Sequence, residues 1–372
     1  QGFVCLCVGD YIGEQCAVSL LEATSFLPDA GEWAVRCAQG AHWMEGSRAL
    51  GARLATLHDT RRCSSEQTVT FATRMHGLGA QIHYLTECLT TATQEGKGML
   101  TAPSSHAHTD RIECGAEAMR GGHSLAHELF GCYLERFFEC GVDDVGAKEG
   151  VEPRRDNSRY AGDEYQTVPK GSAFWWRAQL AHYLLQPGPA LQTTLRQVKA
   201  ALGFTHPVIS VHVRHGDACM HASISQFRPK CVEWEVYLER IYEMRNKYGV
   251  SAVFLATDDP AVSEAARKAE GLQVLQLDMD RQVFSADWFL EFRSQMGLVS
   301  AKDVTESALV DLLLLAEGDL FVGTFASHLS RLAYELMVAR LGYFPPYSSV
   351  DYPWCFHMMH KGQVPGYGVV NC

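Results

Sequence analysis

Val208-Ile209-Ser210-Val211-His212-Val213 runs directly into Arg214-His215-Gly216-Asp217. A β-branched run of this kind is the signature of a buried parallel strand. The same grammar repeats downstream. Glu233 to Tyr248 is amphipathic and stops at Gly249, and Ala252 to Thr257 is a second strand. Pro260 opens a helix at its first position, which ends near Gly271, and Gln273 to Leu277 is a third strand. Ser307 to Ala316 reads as a helix, Leu320 to Gly323 as a fourth strand and Ser327 to Leu341 as a helix. Strands alternating with helices predict an α/β fold with a doubly wound, Rossmann-like parallel sheet.

Upstream of the decisive strand, a helix is expected from about Ser172 to Leu185, ended by Gln186-Pro187-Gly188-Pro189. A second runs from Ala190 to Leu202 and stops at Gly203. The break near Gly203–Pro207 divides the chain into residues 1–205, residues 206–341 and a tail, 342–372, rich in Pro, Tyr and Gly, which is expected to pack back over the outside of the fold. The polar stretch from Lys148 to Asp163 reads as a long loop. A chain of 372 residues with 47% hydrophobic content calls for two domains and has ample material to bury.

The net charge of −11 disfavours nucleic acid as a partner, because phosphate neutralisation needs a basic face. The 13 cysteines are spread from Cys5 to Cys372 without paired C-x-x-C knuckles, which points to disulfides and an oxidising compartment rather than a zinc ribbon. Their odd number leaves at least one thiol outside an intramolecular bridge, and Cys219 and Cys231 bracket a loop that a bridge would close. No apolar run approaches the ~20 residues of a membrane span. The first residue is Gln1 rather than Met, which leaves room for a removed leader or anchor as the one route to a membrane.

In open parallel sheets, ligands bind beyond the carboxyl ends of the strands. Arg214 stands at the first such end, where its planar fork suits a phosphate or a pairing with Asp217. Asp258 and Asp259 stand at the second, where carboxylates can bind a sugar hydroxyl or a metal, or cap the helix opened by Pro260. At the third, Thr324-Phe325-Ala326-Ser327 leads into a helix, whose outward N–H groups make a phosphate site, with a plain Ser327 cap as the alternative. Three convergent ends favour a nucleotide diphosphate.

These stretches resemble the α1,6-fucosyltransferases of N-glycan core fucosylation and their bacterial relatives. The resemblance is carried by Phe174-Trp175-Trp176 through Asp217, by Phe254-Leu255-Ala256-Thr257-Asp258-Asp259-Pro260, and by Asp311 through Glu335 with Arg331-Leu332-Ala333-Tyr334-Glu335. Upstream, Gly77-Leu78-Gly79-Ala80-Gln81-Ile82-His83 is similar to the family's G-x-G-x-Q-x-H segment. The resemblance implies a GT-B-like fold, with residues 1–205 as an α/β domain on the acceptor side and residues 206–341 binding the nucleotide sugar. It implies GDP-fucose as donor, a glycan or glycoprotein acceptor, inversion at the anomeric carbon, no metal or other cofactor, and a place in the lumen of the secretory pathway, in the Golgi or secreted. His212 and Asp311 match positions on the guanine base, Arg214 the arginine on the β-phosphate, Ser327 a hydroxyl on phosphate, and Asp258 and Asp259 acids near the donor. His215, Thr324, Phe325, Ala326, Gly77 and Gly79 complete the expected donor-binding set.

The sequence departs from the family in three places. His215 stands where the family has a second arginine, Ala218 where it has a lysine, and the loop from Cys219 to Lys230 contains no acid to match the family's acceptor-activating glutamate. Asp217, His221 and Glu233 are the substitutes for that base, with Arg214, Asp217 and His221 forming the expected catalytic set. The departures also admit a second expectation, an inactive relative that binds glycan or nucleotide.

Overall fold

The computed structural model describes residues 23–29, 41–72, 77–102, 133–135, 140, 173–222, 231–284, 290–354, 361–364 and 368–371. The loop expected over Lys148 to Asp163 lies outside the described residues. The described chain begins with β1 (Ser25–Phe26), α1 (Ala41–Leu57), β2 (Thr68–Ala72), α2 (Leu78–Gln94) and β3 (Gly98–Ala102). It continues through α3 (Ala173–Leu184), α4 (Pro189–Leu202), β4 (Ile209–Val213), α5 (Gly216–Ala222), α6 (Trp234–Tyr248), β5 (Ala252–Thr257), α7 (Pro260–Arg267) and β6 (Gln273–Leu275). It ends with α8 (Leu290–Gln295), α9 (Ala301–Glu317), β7 (Leu320–Gly323), α10 (His328–Leu341), β8 (Tyr347–Ser349), β9 (Lys361–Val364) and β10 (Gly368–Asn371).

Among the described residues the main sheet has six strands in the order β1-β8-β7-β4-β5-β6, all parallel except β1, which pairs antiparallel with β8. From β4 the chain winds outward through β5 to β6, then returns to β7 and winds outward to β8. The direction of winding therefore reverses between β4 and β7, which are neighbours. A reversal of this kind opens a crevice beyond the carboxyl ends of the two strands. Upstream, β2 and β3 pair in parallel across α2, which forms a second, smaller α/β unit.

Side-chain alternation explains how β4 fills both faces of the sheet. Ile209, Val211 and Val213 join Trp234, Tyr237, Val253 and Leu255 in the core beneath α6. Ser210 and His212 point the other way, and both are buried and hydrogen-bonded: Ser210 Oγ donates to the Leu315 carbonyl (2.7 Å), and His212 Nδ1 meets Ser330 Oγ (2.6 Å). That second face carries the larger core, in which Leu312, Phe321, Phe325 and Leu332 pack with Leu54, Phe71, Leu85 and Phe174 of the upstream segment. Each such buried side chain contributes about 1.5–3 kcal/mol of transfer free energy.

Local chemistry sets the element ends. Gly203, Gly249 and Gly342 close α4, α6 and α10 in the left-handed region, at φ 62°, 72° and 75°. Ser300 caps α9 by accepting the Asp303 N–H, which starts that helix well before the expected Ser307. The boundary at residue 341 needs correction. The segment from Gly342 onward, expected over the outside, supplies β8 to the sheet and buries Tyr347 in the core, because its Tyr-Ser-Ser run completes the edge beside β7. Ser25–Phe26 then closes that edge from the other side, so the 206–341 unit is not made by its own residues alone.

Candidate active site

The crevice at the reversal is walled by the loop after β4 and the turn after β7. Arg214, the first residue beyond β4, pairs through Nη1 with Asp258 and through Nη2 with Asp217. Gly216 makes this packing possible. Its φ is +33°, and a Cβ there would lie 2.5 Å from Asp258 Oδ2 and 2.9 Å from Arg214 Nη1. The arginine is thus oriented by two carboxylates while keeping about a third of its side chain (32%) exposed. Asp217 uses its second oxygen to accept the Leu290 N–H at 3.4 Å. Both its oxygens are engaged, so its expected role as a catalytic base gives way to that of an orienter of Arg214.

His215 is held on three sides. Its N–H donates to Asp258 Oδ1 (2.8 Å), its Nδ1 faces Asp259 Oδ2 (2.8 Å) and its Nε2 faces the Val232 carbonyl (2.9 Å). Both ring nitrogens therefore face oxygen acceptors. The Cys219–Cys231 disulfide pins the chain next to Val232 and closes the loop that its two cysteines bracket in sequence. Asp259 also caps α7 by accepting the Ala261 N–H (2.8 Å). Asp258 and Asp259 therefore act first as a brace beneath Arg214 and His215. His221 lies on α5, and its side chain is outside the described residues. Glu233 is the residue before α6 and makes no side-chain cap.

At the turn after β7 the expectation needs correction. The Phe325 and Ala326 N–H groups, expected to meet phosphate, donate to the Asp351 carboxylate at 2.8 and 3.2 Å. Ser349 Oγ and the Tyr352 N–H also donate to Asp351. The chain's own carboxylate fills the nest, and burial raises its pKa against the pull of these four donors. The Phe325 ring is core, 5.9 Å from Phe321 and 5.4 Å from Tyr347. What the turn presents to a ligand is Ser327 at the start of α10, whose hydroxyl makes no cap bond, with Thr324 buried beside it.

Asp311, one of the two residues expected on the base, pairs with a residue that sequence reading missed. Arg281, buried in a short 3-10 turn, donates through Nη1 to Asp311 Oδ2 (2.8 Å) and the Thr257 carbonyl (3.0 Å), and through Nη2 to the Leu277 carbonyl (3.3 Å). Burial pushes His212 down to about 3, helped by Arg214 and Arg281, so its ring is neutral. Burial raises the pKa of Asp311 while Arg281 pulls it down.

Gly77 precedes α2 as its N-cap, and Gly79 serves helix packing. A Cβ on Gly79 would lie 2.7 Å from the Leu329 nitrogen and 2.9 Å from the His328 carbonyl carbon. The glycine lets α2 touch the start of α10, which brings this segment beside the Ser327 turn but commits Gly79 to a helix contact rather than to a ligand. Behind the contact, His83 Nδ1 meets His328 Nδ1 (2.8 Å) and His83 Nε2 meets Glu335 Oε2 (3.1 Å), while Trp354 Nε1 donates to Glu335 Oε1 (3.0 Å). Asp351, Arg281 and this network were missed because single acids, arginines and histidines in helices and loops carry no spacing signal.

The fold is that of a doubly wound α/β protein, with Arg214 and its two carboxylates at the winding reversal. Residues 161–342 match the family described as "Alpha-(1,6)-fucosyltransferase N- and catalytic domains". The chain is 31% identical over 175 residues to an alpha-(1,6)-fucosyltransferase of Drosophila melanogaster, a match covering 44% of this chain and 25% of that protein. Over its matched segment the chain is similar to the fucosyltransferase family. It spans about a quarter (25%) of the length of that relative. Among solved structures, POFUT1 in complex with GDP-fucose aligns with 79% of this chain and 100% of its own at a TM-score of 0.43 and 11% identity. Fucosyltransferase NodZ from Bradyrhizobium aligns with 73% of this chain and 93% of its own at a TM-score of 0.43 and 15% identity.

Proposed function

We propose that the protein is a glycosyltransferase that moves fucose from GDP-fucose to a hydroxyl of a glycan or glycoprotein, with inversion and without a metal. The observation that carries this reading is Arg214, a partly exposed guanidinium braced by two carboxylates at the winding reversal of a family-matched α/β sheet. In such a transfer the acceptor oxygen bonds to the anomeric carbon as the bond to GDP breaks, and negative charge grows on the leaving diphosphate. Arg214 meets that charge from one wall of the crevice, and Ser327 with the start of α10 from the other. His212 and Asp311 form the base end, with neutral imidazole and carboxylate as acceptors. With Asp217 engaged by Arg214, acceptor deprotonation falls to His221 or to Glu233. The alternative, an inactive binding relative, rests only on the departures at His215, Ala218 and the Cys219 to Lys230 loop.

Among the described residues two disulfides, Cys63–Cys140 and Cys219–Cys231, accord with a lumenal or secreted protein, and the Golgi is the compartment this reading favours. Cys88 is buried outside both bridges. No helix among the described residues is long and apolar enough to cross a membrane. The test is a thermal-shift series with GDP and UDP, followed by GDP release from GDP-fucose in the presence of candidate acceptor glycans. GDP at one hundred times its Kd is expected to add about 2.7 kcal/mol of stability, and UDP at the same concentration less. Equal stabilisation by UDP, with no GDP release, rejects the donor assignment.

A further inference from the structure

Arg281 belongs to none of the short motifs singled out in the sequence, yet it makes three hydrogen bonds at the carboxyl edge of the sheet. One guanidinium reaches the last residue of β5, the segment after β6 and the middle of α9. A buried guanidinium is retained only where acceptors surround it, and here two are backbone carbonyls and one is the Asp311 carboxylate. The pairing is incomplete in a particular way. Asp311 Oδ1 and Arg281 Nε are both buried and have no hydrogen-bond partner among the described residues. A buried, unpartnered carboxylate oxygen beside a fixed cation is an acceptor kept for an incoming N–H group.

Resting on the guanine-nucleotide reading above, we propose that Arg281 is a positioning residue that sets base selectivity, by holding Asp311 as an acceptor with Oδ1 turned to the N–H edge of the base. Guanine presents an N–H and an NH2 on one edge. Uracil presents a single N–H between two carbonyls, and the ring nitrogen on the matching edge of adenine is itself an acceptor. A protonated Asp311 would place a donor against guanine's donors, so selectivity requires the ionised form. Burial works against that form, and Arg281 is the nearby cation that restores it.

The other charged groups on elements packed against α9 are already committed. His212 on β4 is neutral, and Arg214 beyond β4 pairs with Asp217 and Asp258. Lys199 on α4 pairs with Glu317. On α10, Arg340 donates to the Ala316 and Gly318 carbonyls, Arg331 donates to His328, and Glu335 faces His83 and Trp354.

The experiment is titration calorimetry of GDP, ADP and UDP with the full chain, wild type, Arg281→Gln and Arg281→Lys, at pH 8 and pH 6. Without the cation the Asp311 carboxyl titrates higher, so its neutral form takes over as the pH falls. Arg281→Gln is expected to bind GDP roughly tenfold to a hundredfold more weakly at pH 8, to lose further affinity at pH 6, and to discriminate less against ADP. Arg281→Lys keeps the charge but loses the fork, and is expected to weaken GDP about tenfold while keeping the wild-type ratio between the two pH values. A purely structural role would weaken binding equally at both pH values in both variants, and that result overturns the proposal. So does wild-type affinity and selectivity in Arg281→Gln or, if that variant does not fold, in Arg281→Lys. Wild-type protein that binds GDP no better than UDP and ADP instead removes the guanine-nucleotide reading itself.

Discussion

Replacing Asp351 by alanine tests whether the turn after β7 is organised by an internal carboxylate. Four donors converge on that side chain: the N–H groups of Phe325, Ala326 and Tyr352, and Ser349 Oγ. Alanine leaves the two turn N–H groups without their carboxylate, and a buried donor left unpaired costs about 1–3 kcal/mol. Phe325 keeps a weaker acceptor in Ser349 Oγ at 3.2 Å, and Tyr352 and Ser349 can turn towards water. The expected loss is about 3–5 kcal/mol. Unfolding entropy of roughly 2.1 cal/mol/K per residue over 372 residues turns 4 kcal/mol into a fall of about 5 °C in Tm. Asp351→Asn keeps one acceptor oxygen but turns an NH2 towards donors, and should fall between wild type and alanine. The assay is urea unfolding followed by circular dichroism, with the slope m checked for constancy. An alanine variant within about 1 kcal/mol of wild type would show that the turn holds itself, and the view that Asp351 fills a nest of N–H groups would have to go.

Arg214→Ala is expected to lower transfer at least a hundredfold, about 3 kcal/mol of transition-state stabilisation, with Arg214→Lys recovering a small part; GDP release measured on folded variants checks it, and near wild-type turnover would move the diphosphate elsewhere. Because Asp217 and Asp258 share this cation, the alanine variant should also be less stable, and adding Asp217→Asn should restore part of that loss in denaturant melts. Gly79→Ala drives a Cβ into the α10 backbone at Leu329 and should cost about 1–3 kcal/mol, whereas Gly51→Ala, which meets nothing within 4 Å, should be neutral or stabilising in the same melts. Burial lifts the Glu335 carboxyl to about 7, above its unfolded value near 4.5. The folded state therefore binds the extra proton, and this group makes stability fall as the pH rises from about 4.5 to 7, a slope that Glu335→Gln should remove in a pH series of melts.

The doubly wound sheet was legible along the chain because burial on both faces leaves its mark on consecutive residues. Val208 to Val213 and Ala252 to Thr257 are dominated by apolar residues, and helix ends at Gly203, Gly249 and Gly342 are glycine where the backbone turns left-handed. The same locality made Arg214, Asp217, Asp258 and Ser327 visible as polar residues at strand ends. Partnership between distant residues was not legible, because it depends on which strand ends the winding brings together, and a single side chain of ordinary type carries no period. Asp351 filling the Phe325–Ala326 nest, Arg281 reaching Asp311 across 30 residues, Asp217 spent on Arg214, and Gly79 spent on Leu329 are all decided by tertiary approach. The sequence by itself determined the alternation of β4, β5, β6 and β7 with α6, α7, α9 and α10, and which polar residues stand at the strand ends. Only the folded chain decided which of those residues keep a donor or acceptor for a ligand, because buried carboxylates and guanidiniums are first drawn to charges or hydrogen-bonding groups within the protein.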